Sequence, residues 1–146
     1  MRIIKFRGKK CSDDKWVYGQ YVEANRGWRI NGKFRQPHKS WIVCSAFSNG
    51  GFFNVTERYS VKDDTVCQFT GLHDVDGKEI YEGDFLKSES GFKGFVKWNK
   101  NGYFFIKDSE NENCAALGEM LSFTSLHVYG NIYDNPELIK EILCVK

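Results

Sequence analysis

Short runs of β-branched and aromatic residues recur along the chain, each broken by a glycine or an Asx-Gly pair, and this pattern predicts strands. Ile3-Ile4-Lys5-Phe6 predicts a first strand that stops near Gly8, and Lys15 to Glu23 a second, built from residues that suit a pleated surface. Trp28 to Arg35 carries the clearest local signal. Asn31-Gly32 stands between two short alternating arms, and a two-residue type I′ hairpin turn needs positive φ at both central positions. Trp41 to Phe47 predicts a further strand closed by Ser48-Asn49-Gly50-Gly51, with Phe52 to Val55 and Tyr59 to Val61 as short additions.

Thr65 to Thr70 is strand-like again, and Asp76-Gly77 and Gly83-Asp84 mark turns leading into Glu79 to Tyr81 and Phe85 to Lys87. Phe92 to Trp98 and Tyr103 to Lys107 predict an antiparallel pair across Asn101-Gly102, and Leu126 to Tyr133 a last strand. Two segments read as helical. One is Ala115 to Phe123. The other is Asn135 to Leu143, where Asn135 is the expected cap, Pro136 fits the first helical position and Glu137 favours the positive end. Leu138, Ile139 and Ile142 share the apolar face of that helix. Many short strands with evenly spaced glycine turns imply a mainly β barrel or sandwich.

Length and composition narrow the class. At 146 residues the chain is one domain (1–146) or two small packed subdomains, a basic β region over 1–60 and an acidic part over 61–146. Aromatic residues make up 16% and only 2 residues are proline, which argues against disorder. No apolar run reaches the ~20 residues of a membrane-spanning helix, and the apolar part of the N-terminus is too short for a secretory signal. A soluble, cytoplasmic protein with no membrane partner is expected. The net charge of +2 hides a division: residues 1–60 hold 12 Lys+Arg against 4 Asp+Glu, and residues 61–146 hold 9 against 15. All six arginines lie in the basic part. Such asymmetry is read as solvated charge on both parts, as an anionic partner for the basic part, or as basic and acidic parts meeting within a chain or between subunits.

The five cysteines, Cys11, Cys44, Cys67, Cys114 and Cys144, form no C-x-x-C pair. Their odd number suits a reducing compartment rather than a disulfide framework. Cys44 and Cys67 sit in apolar stretches, where a free cysteine behaves as a small buried hydrophobe.

Three segments together carry a family resemblance. They are Arg2 to Arg7 followed by Lys15-Trp16; Val61 to Asp84, which includes Gln68-Phe69-Thr70-Gly71-Leu72 and Tyr81-Glu82-Gly83-Asp84; and Gly130-Asn131-Ile132-Tyr133-Asp134-Asn135-Pro136-Glu137-Leu138. In order and spacing they resemble the YopX family of bacteriophage and prophage proteins. The resemblance covers most of the chain and is weakest over residues 24–60. Cys67 and Phe85 depart from the residues usual in the family. The resemblance implies a mainly β fold with an SH3-like barrel in the C-terminal part, and no catalytic residue set is carried over. Physically, the motifs read as corners. Gly71 allows a bend while Phe69 or Leu72 fills the core, and in the Gly83-Asp84 turn the aspartate can bond nearby backbone N–H groups.

Sites that could carry chemistry are few. Aligning Gly77 with the glycine of an EF-hand loop puts Leu72 at the first ligand position and Gly83 at the last, and neither can ligate. The histidines, His38, His73 and His127, are scattered, and no nucleophile or phosphate-loop motif occurs. No metal, cofactor or enzymatic activity is expected. The most suggestive patch runs from Arg26 to Trp41. It offers Arg26, Trp28, Arg29, Lys33, Phe34, Arg35, His38, Lys39 and Trp41, combining cations for phosphates with aromatic platforms for bases. The expected function is a non-enzymatic accessory protein acting by protein interaction or assembly, as a homo-oligomer or with a host or phage protein. The alternative is a nucleic-acid-binding module that uses the Arg26–Trp41 hairpin, with Arg26, Trp28, Arg29, Lys33, Arg35 and Lys39 as its contacts.

Overall fold

The computed structural model describes residues 3–23, 28–35, 40–47, 54–107 and 115–143. They divide into two compact units, Ile3–Gln68 and Phe69–Lys146.

In the first unit, β1 (Phe6–Lys9), β2 (Trp16–Glu23), β5 (Ser40–Phe47) and β6 (Asn54–Val61) pair antiparallel in the order β6-β5-β2-β1. The start of β7 (Cys67–His73) adds to β1 through Arg7↔Cys67 and Phe6↔Gln68. A 3₁₀ turn at Asp63–Thr65 precedes β7, and Thr65 Oγ1 accepts the Lys9 N–H at 2.9 Å. An isolated bridge, Lys10↔Val61, ties the end of β1 to the end of β6. One face of this sheet is apolar, with Ile42, Val61 and Ser40 buried and the Phe6 and Tyr21 rings 5.5 Å apart. Close packing on that face explains a difference from the expected strand limits. Gly8 does not end β1 but lies inside it, because a Cβ there would stand 3.0 Å from Val61 Cβ. The strand begins at Phe6, not Ile3. Likewise Tyr59 to Val61 and the end of the piece expected over Phe52 to Val55 form one strand, β6, paired along its length with β5, while Phe52 and Phe53 lie outside the described residues.

Between β2 and β5 in the chain stands the hairpin β3 (Trp28–Ile30) and β4 (Lys33–Arg35), which among the described residues pair only with each other. Asn31 has φ 50° and Gly32 φ 75°, the two positive values that the Asn-Gly pair predicts.

In the second unit, the rest of β7 pairs with β8 (Glu79–Tyr81), with a register shift between Phe69 and His73 where Gly71 takes φ 86°. A four-stranded antiparallel sheet follows, in the order β11-β10-β9-β12, from β9 (Asp84–Ser88), β10 (Lys93–Asn99), β11 (Tyr103–Lys107) and β12 (Leu126–Asn131). Among the described residues no sheet closes on itself, so these ladders do not complete an SH3-like barrel. A bridge from Phe105 to Ala116, leading into helix α1 (Leu117–Phe123), occupies the flank of β11. One core gathers Ile80, Leu86, Val96, Phe104, Ile106, Leu117 and Leu126. A second is built on Phe85, Phe95 and Ile142, against which Leu138 and Ile139 pack from α2 (Glu137–Leu143). Each fully buried side chain of this size contributes about 1.5–3 kcal/mol, so docking its apolar stripe is what holds so short a helix.

Candidate functional site

Strand register divides the charges of the first sheet cleanly. Side chains directly opposite on neighbouring strands share a face, and alternate residues change face. Arg7 pairs with Tyr18 and Lys9 with Trp16; Val22 pairs with Trp41, and Val43 with Arg58. One face therefore carries Arg7, Lys9, Trp16, Tyr18, Trp41 and Arg58. The opposite, apolar face takes Glu23 (opposite Ser40) and Glu57 (opposite Cys44). Among the described positions of β1, β2, β5 and β6, no acidic residue falls on the basic face.

On that face each ring has a cation beside it. Arg7 Cζ lies 4.6 Å from the Trp16 ring centroid and Lys9 Nζ 5.5 Å from it. Lys5 Nζ is 5.7 Å from Tyr18, and Arg58 Cζ is 5.8 Å from Trp41. These are cation–π distances. Tyr18 and Arg58 are exposed, and Trp16, Trp41, Lys5 and Lys9 are half-buried. Arg7 is buried, which makes it a support for Trp16, whereas the others reach solvent.

Of the residues singled out in the sequence, Arg26, His38 and Lys39 lie outside the described residues. Trp28 and Arg29 sit on β3 and Phe34 and Arg35 on β4, paired Trp28↔Arg35 and Arg29↔Phe34, with their side chains outside the description. Lys33 is exposed. Trp41 belongs to β5 and to the basic sheet face. Sequence reasoning concentrated on the hairpin and missed this second basic, aromatic surface. Its signal was present in two period-2 runs, Lys5-x-Arg7-x-Lys9 and Trp16-x-Tyr18, but nothing local says that those runs lie side by side.

The family-like motifs spend their polar atoms on the backbone. Asp74 Oδ1 accepts the N–H groups of Asp76 and Lys78 at 2.9 and 2.8 Å, and its Oδ2 accepts that of Val128 at 2.9 Å. Burial works against this charge, yet the N–H donors of Val128, Lys78 and Asp76 outweigh it and hold the carboxyl below its ordinary value. Buried Asp84 accepts the Tyr81 N–H at 2.8 Å across the turn at Gly83, whose φ is 80°. Asn131 Oδ1 accepts the N–H groups of Tyr133 and Asp134, both at 2.9 Å, and its Nδ2 donates to Asp134 Oδ2. Asn135 does not cap α2 with its side chain as expected; its Oδ1 takes the Asn131 N–H at 3.4 Å, back toward β12.

Two expectations about reactive groups change. Cys67 is buried, but Cys44 is only half-buried, and its thiol donates to the Tyr18 carbonyl. Burial raises the Cys44 pKa, which makes it a poor nucleophile. His127, which has no partner motif in the sequence, meets Asp76, with Nδ1 2.8 Å from Oδ2. Ser88, in the cavity beside His127, instead bonds Ser90 Oγ and the Phe92 N–H.

Comparison with known proteins fits this picture. The family model described as "YopX protein" matches residues 5–140. A crystal structure of protein EF1440 from Enterococcus faecalis is similar in fold, with a TM-score of 0.51 at 21% identity, covering 95% of this chain and 99% of that one. No curated protein matches the chain.

Proposed function

This chain belongs to the YopX family, and we propose that it is a non-enzymatic phage or prophage accessory protein that works by binding an anionic macromolecule on the basic face of its first sheet. The observation that supports this reading is the register division, which sets Arg7, Lys9 and Arg58 on one face with Trp16, Tyr18 and Trp41, and Glu23 and Glu57 on the other. A face of one sign attracts a polyanion well beyond contact range and raises its rate of encounter, although the net charge is only +2. The bonding of the corner motifs supports a structural rather than a reactive role for them. Asp74 and Asn131 are occupied in holding turns, and a carboxylate with a lowered pKa is a weak general base.

Retention on immobilised heparin tests the reading. The protein is expected to bind at about 50 mM salt and elute as salt rises. Lys9→Glu with Arg58→Glu should elute much earlier, whereas Lys100→Glu, exposed in the second unit, should not. Equal shifts for both variants, or no retention of the parent protein, would overturn it.

A second reading is self-association, in which the anion is the acidic part of another copy. The excess of 15 Asp+Glu over 9 Lys+Arg in residues 61–146 favours it, and so does Phe123, 86% exposed in the second unit. Light scattering would then show an oligomer that is indifferent to nuclease and dissociates in high salt.

A further inference from the structure

We infer that the basic sheet face binds single-stranded nucleic acid by stacking bases on Tyr18, Trp16 and Trp41. The inference rests on the anion-binding reading above and specifies its ligand. A plain polyanion needs charge alone. This face adds aromatic rings that the fold does not bury: Tyr18 is 45% exposed, and both tryptophans are half-buried rather than sealed in a core. Trp16 and Tyr18 are two apart on β2 and so stand side by side at about 6.7 Å. Trp41 stands on the adjacent strand opposite Val22, which is itself 46% exposed. The result is a row of apolar platforms running along the strands with cations at its flanks. Non-specific single-strand binding uses this combination, with bases stacked on rings and phosphates met by lysine and arginine.

The ring-bound cations give the face a way to exchange partners. Lys5, Lys9 and Arg58 lie 5.5–5.8 Å from the ring centroids, on long side chains that can follow a phosphate when a base takes the ring. Buried Arg7 stays behind Trp16 as its support. Duplex DNA offers no free base faces, so the rings would gain nothing from it. A protein partner would gain from the apolar contact but would not require a row of phosphates.

The test is a titration of tryptophan fluorescence with a thymidine oligonucleotide, the matching duplex and inorganic polyphosphate of equal charge. The oligonucleotide is expected to quench the fluorescence and to bind at least tenfold more tightly than polyphosphate or duplex. Tyr18→Ala should weaken oligonucleotide binding roughly 5- to 150-fold, one stacked base being worth about that much, and Tyr18→Phe should restore it. Polyphosphate affinity should be unchanged in both variants. Arg58→Gln should reduce the slope of log affinity against log salt concentration by about 0.7. Polyphosphate or duplex binding as tightly as the oligonucleotide, or Tyr18→Ala binding like the parent, would overturn base stacking while leaving anion binding intact. No binding by any of the three would overturn both. Binding of a second copy in place of the oligonucleotide would also overturn it.

Discussion

The carboxylate of Asp74 accepts the backbone N–H of Val128 at 2.9 Å, joining a tight turn to a strand 54 positions further along the chain. The same buried side chain also closes its own turn through Asp76 and Lys78. Asp74→Ala would leave these N–H groups without their acceptor, at a cost of about 3–4 kcal/mol, and Asp74→Asn should cost less. Urea denaturation measures both. Because the folded carboxyl titrates below its ordinary value, its contribution is complete above the unfolded pKa of about 4. It is lost as pH falls from there through the folded value. Stability of the parent should therefore drop more steeply below about pH 4 than that of Asp74→Asn.

Gly130 stands where a Cβ would come within 2.6 Å of Asn135 Oδ1. An added methyl would push the amide away from the Asn131 N–H it now accepts. Gly130→Ala should cost about 1–2 kcal/mol, and combined with Asn135→Ala the two effects should fall short of additive, since the second change removes the obstacle. A double-mutant cycle on thermal or urea unfolding checks this.

Gly19 is more constrained. A Cβ there would lie 2.1 Å from the Val43 carbonyl oxygen, which is backbone and cannot turn aside. Gly19→Ala is expected to separate β2 from β5 and abolish soluble expression or cost more than about 3 kcal/mol. By contrast, Gly77→Ala meets nothing within 4 Å and carries only the strain of φ 80°, about 1–2 kcal/mol. Expression followed by circular dichroism separates the two cases.

The hairpin variant Arg29→Ala with Arg35→Ala removes two cations from β3 and β4. Register puts positions 29 and 35 on different faces of the hairpin, so if one hairpin face shares the phosphate contacts, single-strand binding weakens and its salt slope falls by about 0.7, one cation's worth. Unchanged binding confines the interface to the sheet face.

Much of the local structure is legible from composition and spacing. Asn31-Gly32 announces its hairpin because only a few residue types accept positive φ at both positions. Leu138, Ile139 and Ile142 announce α2, and Asp76-Gly77 and Gly83-Asp84 announce their turns. These are choices made within a few residues of backbone. Gly8 shows the limit: as a residue type it signals a stop, and only contact with Val61, brought in by the pairing of distant strands, keeps it inside β1.

The basic face shows the same limit in functional terms. A lysine–arginine alternation near the N-terminus, a Trp-x-Tyr pair, Trp41 and Arg58 are unremarkable when taken one at a time. Strand order and register bring them to a single side and send Glu23 and Glu57 to the other. Side-chain alternation is a property of each strand and can be read along it. Which strands become neighbours, and in what register, depends on burying Ile42 and Val61 together, a long-range energy that no local stretch of chain contains.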